Sequence, residues 1–379
     1  MSVHRDQYHL VTSTQNMENS TKVLEDDALL DQWNSEFVDV LWSDTLLLVM
    51  YILIGVVGNS LVVIVYTLRF RDKSEDRFFI PYLAVIDLIA CLVCSSFGII
   101  VNKYAVTFTN DPACKAFCLL SLIVTGCSAL ILLVIAVHRY QKICRPFSAQ
   151  MSLRRKKLNL IGCISVSLLV SLPSLAFYGT SPVIHPEYNI TGTRCANIRG
   201  PWTKGVAIAY KAVILLMCLG VLISLIVIYC LIGKAVFKRI TLNKNRHIHT
   251  SDPTAMSSAT SSDTVTTIVE SVSEDGRKLA RKSIPNTNRK NISGYRLSVM
   301  FMIITAVFVL CYIPKIAMMM FESKIERFWL TLDISSYGAY RFLYTMYIIN
   351  SIVNPVIYGF FDRKFRQELL SLCCCFKVS

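Results

Sequence analysis

The stretch LLLVMYILIGVVGNSLVVIVYTL, from Leu46 to Leu68, decides the fold. It contains no charged side chain, and it is long enough for the hydrocarbon core of a bilayer, which takes about 20 apolar helical residues to cross. Because the backbone must satisfy its own hydrogen bonds in hydrocarbon, a run of this length crosses as an α-helix. The stretch therefore predicts a membrane-spanning helix.

Six further runs of the same kind follow along the chain. The predicted spans are Leu46–Leu68, Phe78–Val101, Lys115–Val137, Leu158–Tyr178, Val206–Val236, Arg296–Phe321 and Tyr337–Phe360. They do not alternate apolar and polar residues as the strands of a transmembrane barrel do. A soluble bundle of seven buried helices is the weaker alternative, because only 17% of the residues are charged and soluble domains carry about 25%. The sequence predicts an all-α membrane protein with a seven-helix bundle over residues 44–360.

Basic residues indicate how the chain is oriented. The segments after the first, third and fifth spans are rich in Lys and Arg, for example at Arg69, Arg154 and Lys238, and the alternate segments hold few. The positive-inside rule then places the N-terminus outside the cell membrane and the C-terminus in the cytosol. The net charge of +14 follows from this asymmetry and does not indicate a nucleic-acid partner. Since residues 1–43 lack an apolar run, the first span is expected to act as the insertion signal.

Two of the fourteen cysteines reach the oxidising side in this topology. They are Cys114 and Cys195, which are therefore expected to form a disulfide. Asn19 and Asn189 begin Asn-X-Ser/Thr sequons on the same side, so both are candidate glycosylation sites.

Three segments outside the spans have distinct expected roles. Residues 1–43 are polar and acidic and predict a mobile extracellular tail. Residues 237–295 form a Ser/Thr-rich third cytoplasmic loop that is expected to be disordered. Residues 361–379 predict an amphipathic eighth helix on the inner leaflet, followed by three cysteines suited to palmitoylation, Cys373, Cys374 and Cys375.

Polar residues inside the spans are few, and each is costly in lipid and tends to be functional. These polar residues and the motifs around them give the chain a resemblance to the rhodopsin-like G-protein-coupled receptors, from about residue 45 to residue 375. The motifs that carry the resemblance are Gly58-Asn59, Leu83-Ala84-Val85-Ile86-Asp87, the Cys114–Cys195 pair, Arg139-Tyr140, Phe308 to Pro314, and Asn354-Pro355-Val356-Ile357-Tyr358. The stretch from Arg139 to Phe147 is more loosely similar to invertebrate neuropeptide receptors of the cholecystokinin or orexin type.

The resemblance implies an allosteric sodium site in the middle of the bundle. Asp87 supplies the charge, and its implied oxygen partners are Ser128, Asn350, Ser351 and Asn354. A lone buried carboxylate needs a cation or a proton, which agrees with this interpretation. A protonated, hydrogen-bonded Asp87 with a structural role is the alternative.

The resemblance also implies a switch at the cytosolic end, where a heterotrimeric G protein binds. Arg139 is the implied G-protein contact, with Tyr229 and Tyr358 moving in beside it. A cation there that only reaches lipid headgroups is the alternative. Arrestin and kinases are expected partners of the third cytoplasmic loop.

Several positions depart from the family pattern. His138 precedes Arg139 where the family usually has an acid, Tyr312 replaces the helix-six Trp, Val221 replaces a helix-five proline, and Cys163 replaces a helix-four Trp. An imidazole cannot hold Arg139 as a carboxylate would, so we expect raised basal signalling.

The ligand pocket is expected between the outer halves of helices three, five, six and seven. Its implied lining is Ser121, Thr125, Lys315, Met319, Tyr344 and Tyr347. Ser121 stands where amine receptors carry an Asp, which disfavours a monoamine. Lys315 is expected to meet a ligand carboxylate or another acid, or else to reach outward toward Glu322.

The acidic tail and the long second outer loop favour a peptide ligand with a basic end, and a small acidic or lipid ligand is the alternative. A transporter or channel is the rival class, but the odd number of spans and the missing internal repeat disfavour it. No nucleophile–base or metal-ligand spacing suggests an enzyme.

Overall fold

A computed structural model of the chain describes residues 2–69, 77–198, 204–249, 286–325 and 328–376. Its long helices are α1 (Ser2–Ile64), α2 (Ile80–Lys103), α3 (Asp111–Cys144), α4 (Leu153–Ser171), α5 (Lys204–His249) and α6 (Asn286–Lys324). All six are long and apolar enough to cross a membrane. A π-helical turn, Val65–Arg69, ends α1, and short helical turns lie at Ser174–Phe177 and Phe328–Thr331.

The seventh span is composite. It comprises Ile334–Thr345, a 3₁₀ turn at Met346–Ile348, and Ile349–Phe361, which together are called α7. The seven-helix bundle predicted from the apolar runs is thus present. A further helix, α8 (Arg363–Phe376), follows α7 directly, and its position on a lipid leaflet stays a prediction.

A β-hairpin lies between α4 and α5. Strand β1 (Tyr178–Ile184) pairs antiparallel with β2 (Thr191–Asn197), so that Thr180 faces Cys195. The predicted disulfide is present and ties Cys195 to Cys114 at the start of α3. The end of the bundle that carries this hairpin is called the hairpin end, and the other is called the α8 end.

The N-terminal segment differs from the predicted tail, because α1 begins at Ser2 instead of near residue 44. The apolar residues Trp33, Phe37 and Leu41 repeat every four residues, so they lie on one helical face and are buried. They pack into a cluster with Val183 of β1 and Trp329 of the turn after α6. Burial of this apolar face explains why the segment is helical.

Helices α5 and α6 also extend past their predicted spans. Residues 237–249 and 286–295, assigned to the third loop, are helical. Residues 250–285, where disorder was predicted, lie outside the described residues.

The bundle core lies toward the α8 end and joins α2, α3, α5, α6 and α7 in one buried cluster. Helices α1 and α7 approach closely beside it: a Cβ added at Gly58 would lie 3.0 Å from Pro355 Cγ. This contact accounts for a glycine in the first span opposite the proline of the seventh.

Candidate functional site

A cavity of about 1220 Å³, including space open to solvent, lies at the hairpin end. All six residues predicted to bind the ligand line it: Ser121, Thr125, Lys315, Met319, Tyr344 and Tyr347. Strand β2 contributes Arg194, Cys195 and Asn197 to the same lining. The disulfide therefore holds one wall of the cavity against α3.

Lys315 is the central cation of this cavity. Its Nζ lies 3.0 Å from the centroid of the Tyr344 ring and 4.9 Å from that of Tyr347. Aromatic faces stabilise a cation without neutralising it. Among the described residues Lys315 forms no ion pair within 4.0 Å, so its charge is available to a ligand anion.

Two further cations and one acid line the cavity, namely Arg194, Arg341 and Glu322. Glu322 accepts a hydrogen bond from Asn197 Nδ2 at 2.9 Å instead of meeting Lys315. Arg194 Nε is buried without a hydrogen bond among the described residues. The cavity wall therefore carries more positive than negative charge.

Arg341 is tied to a polar network that the sequence did not reveal. Its Nε donates to Asn102 Oδ1 at 3.0 Å, and Asn102 Nδ2 donates to Asp44 Oδ2 at 2.8 Å. Thr345 Oγ1 donates to Asp44 Oδ1 at 3.2 Å. The network joins α1, α2 and α7 below the cavity, and Asp44 offsets part of the Arg341 charge.

Asp87 lies fully buried in the middle of the bundle. It accepts hydrogen bonds from Ser128 Oγ at 3.2 Å, Ser351 Oγ at 2.9 Å and Asn354 Nδ2 at 2.7 Å. The structure thus brings together four of the five residues predicted for sodium.

The fifth predicted residue, Asn350, is buried on α7, and its Oδ1 makes no hydrogen bond within the described ranges. A carboxylate, two hydroxyls and an unsatisfied amide oxygen are the hard oxygen donors that a small alkali cation prefers. These residues fit the implied ion. Nearby, Asn59 Nδ2 donates to Ser351 O at 3.0 Å and joins α1 to the same region.

Arg139 is buried near the α8 end, with 1% of its surface exposed. Its guanidinium carbon lies 5.0 Å from the centroid of the Phe301 ring on α6. Tyr229 and Tyr358 are buried in the same core cluster as Phe301. A tilt of α6 that removes Phe301 would uncover the Arg139 cation.

Tyr358 faces α1 and α8. Its ring centroid is 6.3 Å from that of Tyr66 and 6.5 Å from that of Phe365.

Asp362 is a structural residue that the sequence pattern missed. It forms an ion pair with Arg77, accepts from Tyr66 Oη at 2.8 Å, and accepts from the backbone N–H groups of Lys364 and Phe365 at the start of α8. An acid directly before a helical run is a capping signal, and that signal could have identified it.

The family model of the seven-transmembrane receptors, rhodopsin family, matches residues 58–358 of this chain. The chain belongs to that family. It is therefore a multi-pass membrane receptor and not an enzyme.

Named relatives agree with the family. The receptor is 24% identical over 360 residues to a cholecystokinin receptor of Xenopus laevis, which covers 87% of this chain and 76% of that one. It is also 24% identical over 382 residues to the cholecystokinin receptor type A of Canis lupus familiaris, covering 94% and 86%.

The remaining predicted sites are modification sites. Asn189 is exposed at the tip of the hairpin. The side chains of Asn19, Cys373, Cys374 and Cys375 lie outside the described residues, so these sites stay predictions.

Proposed function

We propose that this receptor binds an extracellular peptide in the hairpin-end cavity and activates a heterotrimeric G protein at the α8 end. The observation that carries the proposal is the pairing of these two ends in one bundle. A wide cavity with the cation Lys315 lies at one end, and Arg139 is buried under Phe301 at the other.

The charge of the cavity supports a peptide that carries an acidic group. The cavity is open to solvent, so a peptide can enter it from the hairpin end. The cations Lys315, Arg194 and Arg341 face a single lining acid, Glu322. The basic end expected from the sequence would instead meet the acidic N-terminal part of α1, residues 2–43, which is called the α1 extension.

A small acidic or lipid ligand is the alternative, since Lys315 would pair with either kind of anion. A transporter or channel mechanism is disfavoured, because the family model that matches most of the chain is that of the seven-transmembrane receptors.

We also propose that the hairpin end faces the outside of the cell and that the α8 end faces the cytosol. Exposed Asn189 on the hairpin would then carry a glycan, as would Asn19. Treatment with an N-glycosidase should increase the gel mobility of the receptor from cells and leave an Asn19→Gln, Asn189→Gln variant unchanged. No mobility shift in the wild type would remove the support for this orientation.

On the cytosolic side, arrestin and kinases are the proposed partners of the third loop, whose residues 250–285 lie outside the described ranges. Palmitoylation of Cys373, Cys374 and Cys375 would hold α8 against the inner leaflet, where its apolar face would enter the lipid. Acyl–biotin exchange on a variant lacking the three thiols tests this point.

The ligand proposal is tested by a peptide-library screen on receptor-containing membranes, with nucleotide exchange on purified G proteins as the readout. The expected result is activation by peptides that carry an acidic residue or a free C-terminal carboxylate. Activation only by peptides without any anionic group would contradict the assigned role of Lys315, and activation only by small acids or lipids would favour the alternative.

A further inference from the structure

A second cavity, of about 720 Å³ including the space open to its surroundings, lies between α3, α4 and α5. It is called the side crevice. Helix α5 packs on α3 and α6 but barely touches α4, so the two helices diverge along the crevice. Tyr210 of α5 bridges them near the hairpin end, where its Oη donates to Val170 O at 3.0 Å.

The side crevice opens away from the bundle axis. Val166 of α4 and Met217 of α5 line it and are 40% and 36% exposed. Both residues lie within membrane-spanning helices, so the surface they expose meets lipid hydrocarbon. A molecule that enters the crevice from this side must therefore be dissolved in the bilayer.

The side crevice and the hairpin-end cavity share a wall. Leu122, Thr125, Ile214, Cys218 and Tyr312 line both spaces. Thr125 and Cys218 are small and only partly buried. An alkyl chain that joins the two spaces has to pass between these side chains.

The two spaces differ in chemistry. The crevice lining is apolar apart from a few hydroxyls and the Cys218 thiol, whereas the cavity holds Lys315 one helical turn beyond Tyr312 on α6. The charged groups that face Lys315 are Glu322 on the same helix, Arg341 on α7 and Arg194 on β2. Glu322 accepts a hydrogen bond from Asn197 instead of pairing with Lys315, so Lys315 can pair with one ligand anion.

We propose that the receptor binds a long-chain carboxylic acid from the bilayer, with its carboxylate on Lys315 and its alkyl chain in the side crevice. A cation at one end and an apolar channel open to lipid at the other complement a molecule with one anionic group and one chain. A sterol or a phospholipid acyl chain has no carboxylate that pairs with Lys315. A soluble acid has no long alkyl chain that fills the side crevice. This inference rests on the lipid alternative of the proposed function and gives it a chemical class; such an acid would compete with a peptide for Lys315, and its binding does not depend on G-protein coupling.

The test uses a diazirine analogue of palmitic acid as the probe, with purified receptor in nanodiscs and photolabelling as the readout. The matching diazirine fatty alcohol has the same chain without the carboxylate. We expect labelled peptides from α3, α4 or α5 with the acid, and about tenfold weaker labelling with the alcohol, because a charge-assisted hydrogen bond is lost.

Variants test each end of the proposed ligand. Lys315→Met should weaken labelling by the acid to the level of the alcohol, and Lys315→Arg should keep it. Val166→Trp and Met217→Trp fill the crevice and should abolish labelling. Ile164→Trp and Leu216→Trp place the same bulk on lipid-exposed positions of the same helices outside the crevice and should not.

Three outcomes would overturn the proposal. Equal labelling by acid and alcohol would show an apolar lipid site only. Labelling that survives Lys315→Met or both crevice-filling variants would place the probe elsewhere. Absence of labelling in a receptor that still gives a cooperative thermal unfolding transition would mean that the crevice is empty of such acids.

Discussion

Arg77 and Asp362, which are 285 residues apart in the chain, form a two-pronged ion pair: Arg77 Nε lies 2.7 Å from Asp362 Oδ2 and Arg77 Nη2 lies 3.1 Å from Oδ1. The Asp362 side chain is 1% exposed, and that of Arg77 is 13% exposed. The pair joins the segment before α2 to the junction of α7 and α8. Because Asp362 also caps α8, one carboxylate fixes three elements at the α8 end.

Asp362→Asn should destabilise the receptor by about 3 kcal/mol, because it leaves the Arg77 charge buried without its counter-ion. The measurement is thermal unfolding in detergent. Glu368→Gln on the same helix is the control, since Glu368 takes no part in the Arg77 contact. Equal unfolding temperatures for Asp362→Asn and the wild type would contradict this role.

The same pair predicts a pH dependence. Burial acts to raise the pKa of Asp362, but the hydrogen bonds and charge of Arg77, with the Tyr66 hydroxyl, outweigh it and hold the pKa below its usual value. A carboxyl whose folded pKa is depressed contributes stability above its unfolded pKa, about 3.9, and loses it as the pH falls through the folded pKa. The difference between wild type and Asp362→Asn should therefore stay constant near neutrality and shrink below about pH 4. A stability difference between the wild type and Asp362→Asn that grows on acidification would contradict this prediction.

Sodium should stabilise the receptor through Asp87. An ion that binds only the folded state raises the unfolding temperature with its concentration, so replacing choline with sodium at constant ionic strength should raise it in the wild type. Asp87→Asn should remove the response, and Asn350→Ala should weaken it.

The control for sodium is Asp44→Asn, which changes another buried acid with its own partners, Asn102 and Thr345. A sodium response that persists in Asp87→Asn, or one that vanishes equally in Asp44→Asn, would mean that Asp87 does not hold the ion.

The α1 extension should detach from the hairpin when Trp33 is truncated. Trp33 is 7% exposed and its ring centroid lies 4.9 Å from that of His185. Trp33→Ala removes a large buried side chain, a loss of about 3 kcal/mol, so residues 20–43 should become sensitive to limited proteolysis. Trp42, on the same helix but 64% exposed, gives the control Trp42→Ala. Equal cleavage of both variants would contradict the packing role of Trp33.

Sequence patterns predicted the bundle well because a long apolar run in hydrocarbon must satisfy its own backbone hydrogen bonds and therefore forms a helix. The apolar runs predicted all seven spans. The topology that these spans define predicted the Cys114–Cys195 disulfide. The resemblance grouped Ser128, Ser351 and Asn354 with Asp87, and all three side chains donate hydrogen bonds to that carboxylate, while sodium binding there stays a prediction.

The structural features that were not predicted depend on tertiary contacts, which no local sequence pattern encodes. The polarity of residues 1–43 concealed the repeat of Trp33, Phe37 and Leu41 that makes the α1 extension helical. The ion pair between Arg77 and Asp362 requires the folded arrangement of α2 and α7. The side crevice arises from the divergence of α4 and α5, which a single sequence does not report.

We propose that the receptor activates a G protein through Arg139 and does so measurably without ligand. The most direct measurement is nucleotide exchange on a panel of purified G proteins, with wild-type, Arg139→Ala and His138→Asp receptors in membranes and no added ligand. We predict exchange above that of empty membranes in the wild type, less in His138→Asp, and none above background in Arg139→Ala. Exchange in the wild type that equals that of empty membranes across the panel would contradict the raised basal activity, and exchange that Arg139→Ala keeps at the wild-type level would contradict the role of Arg139.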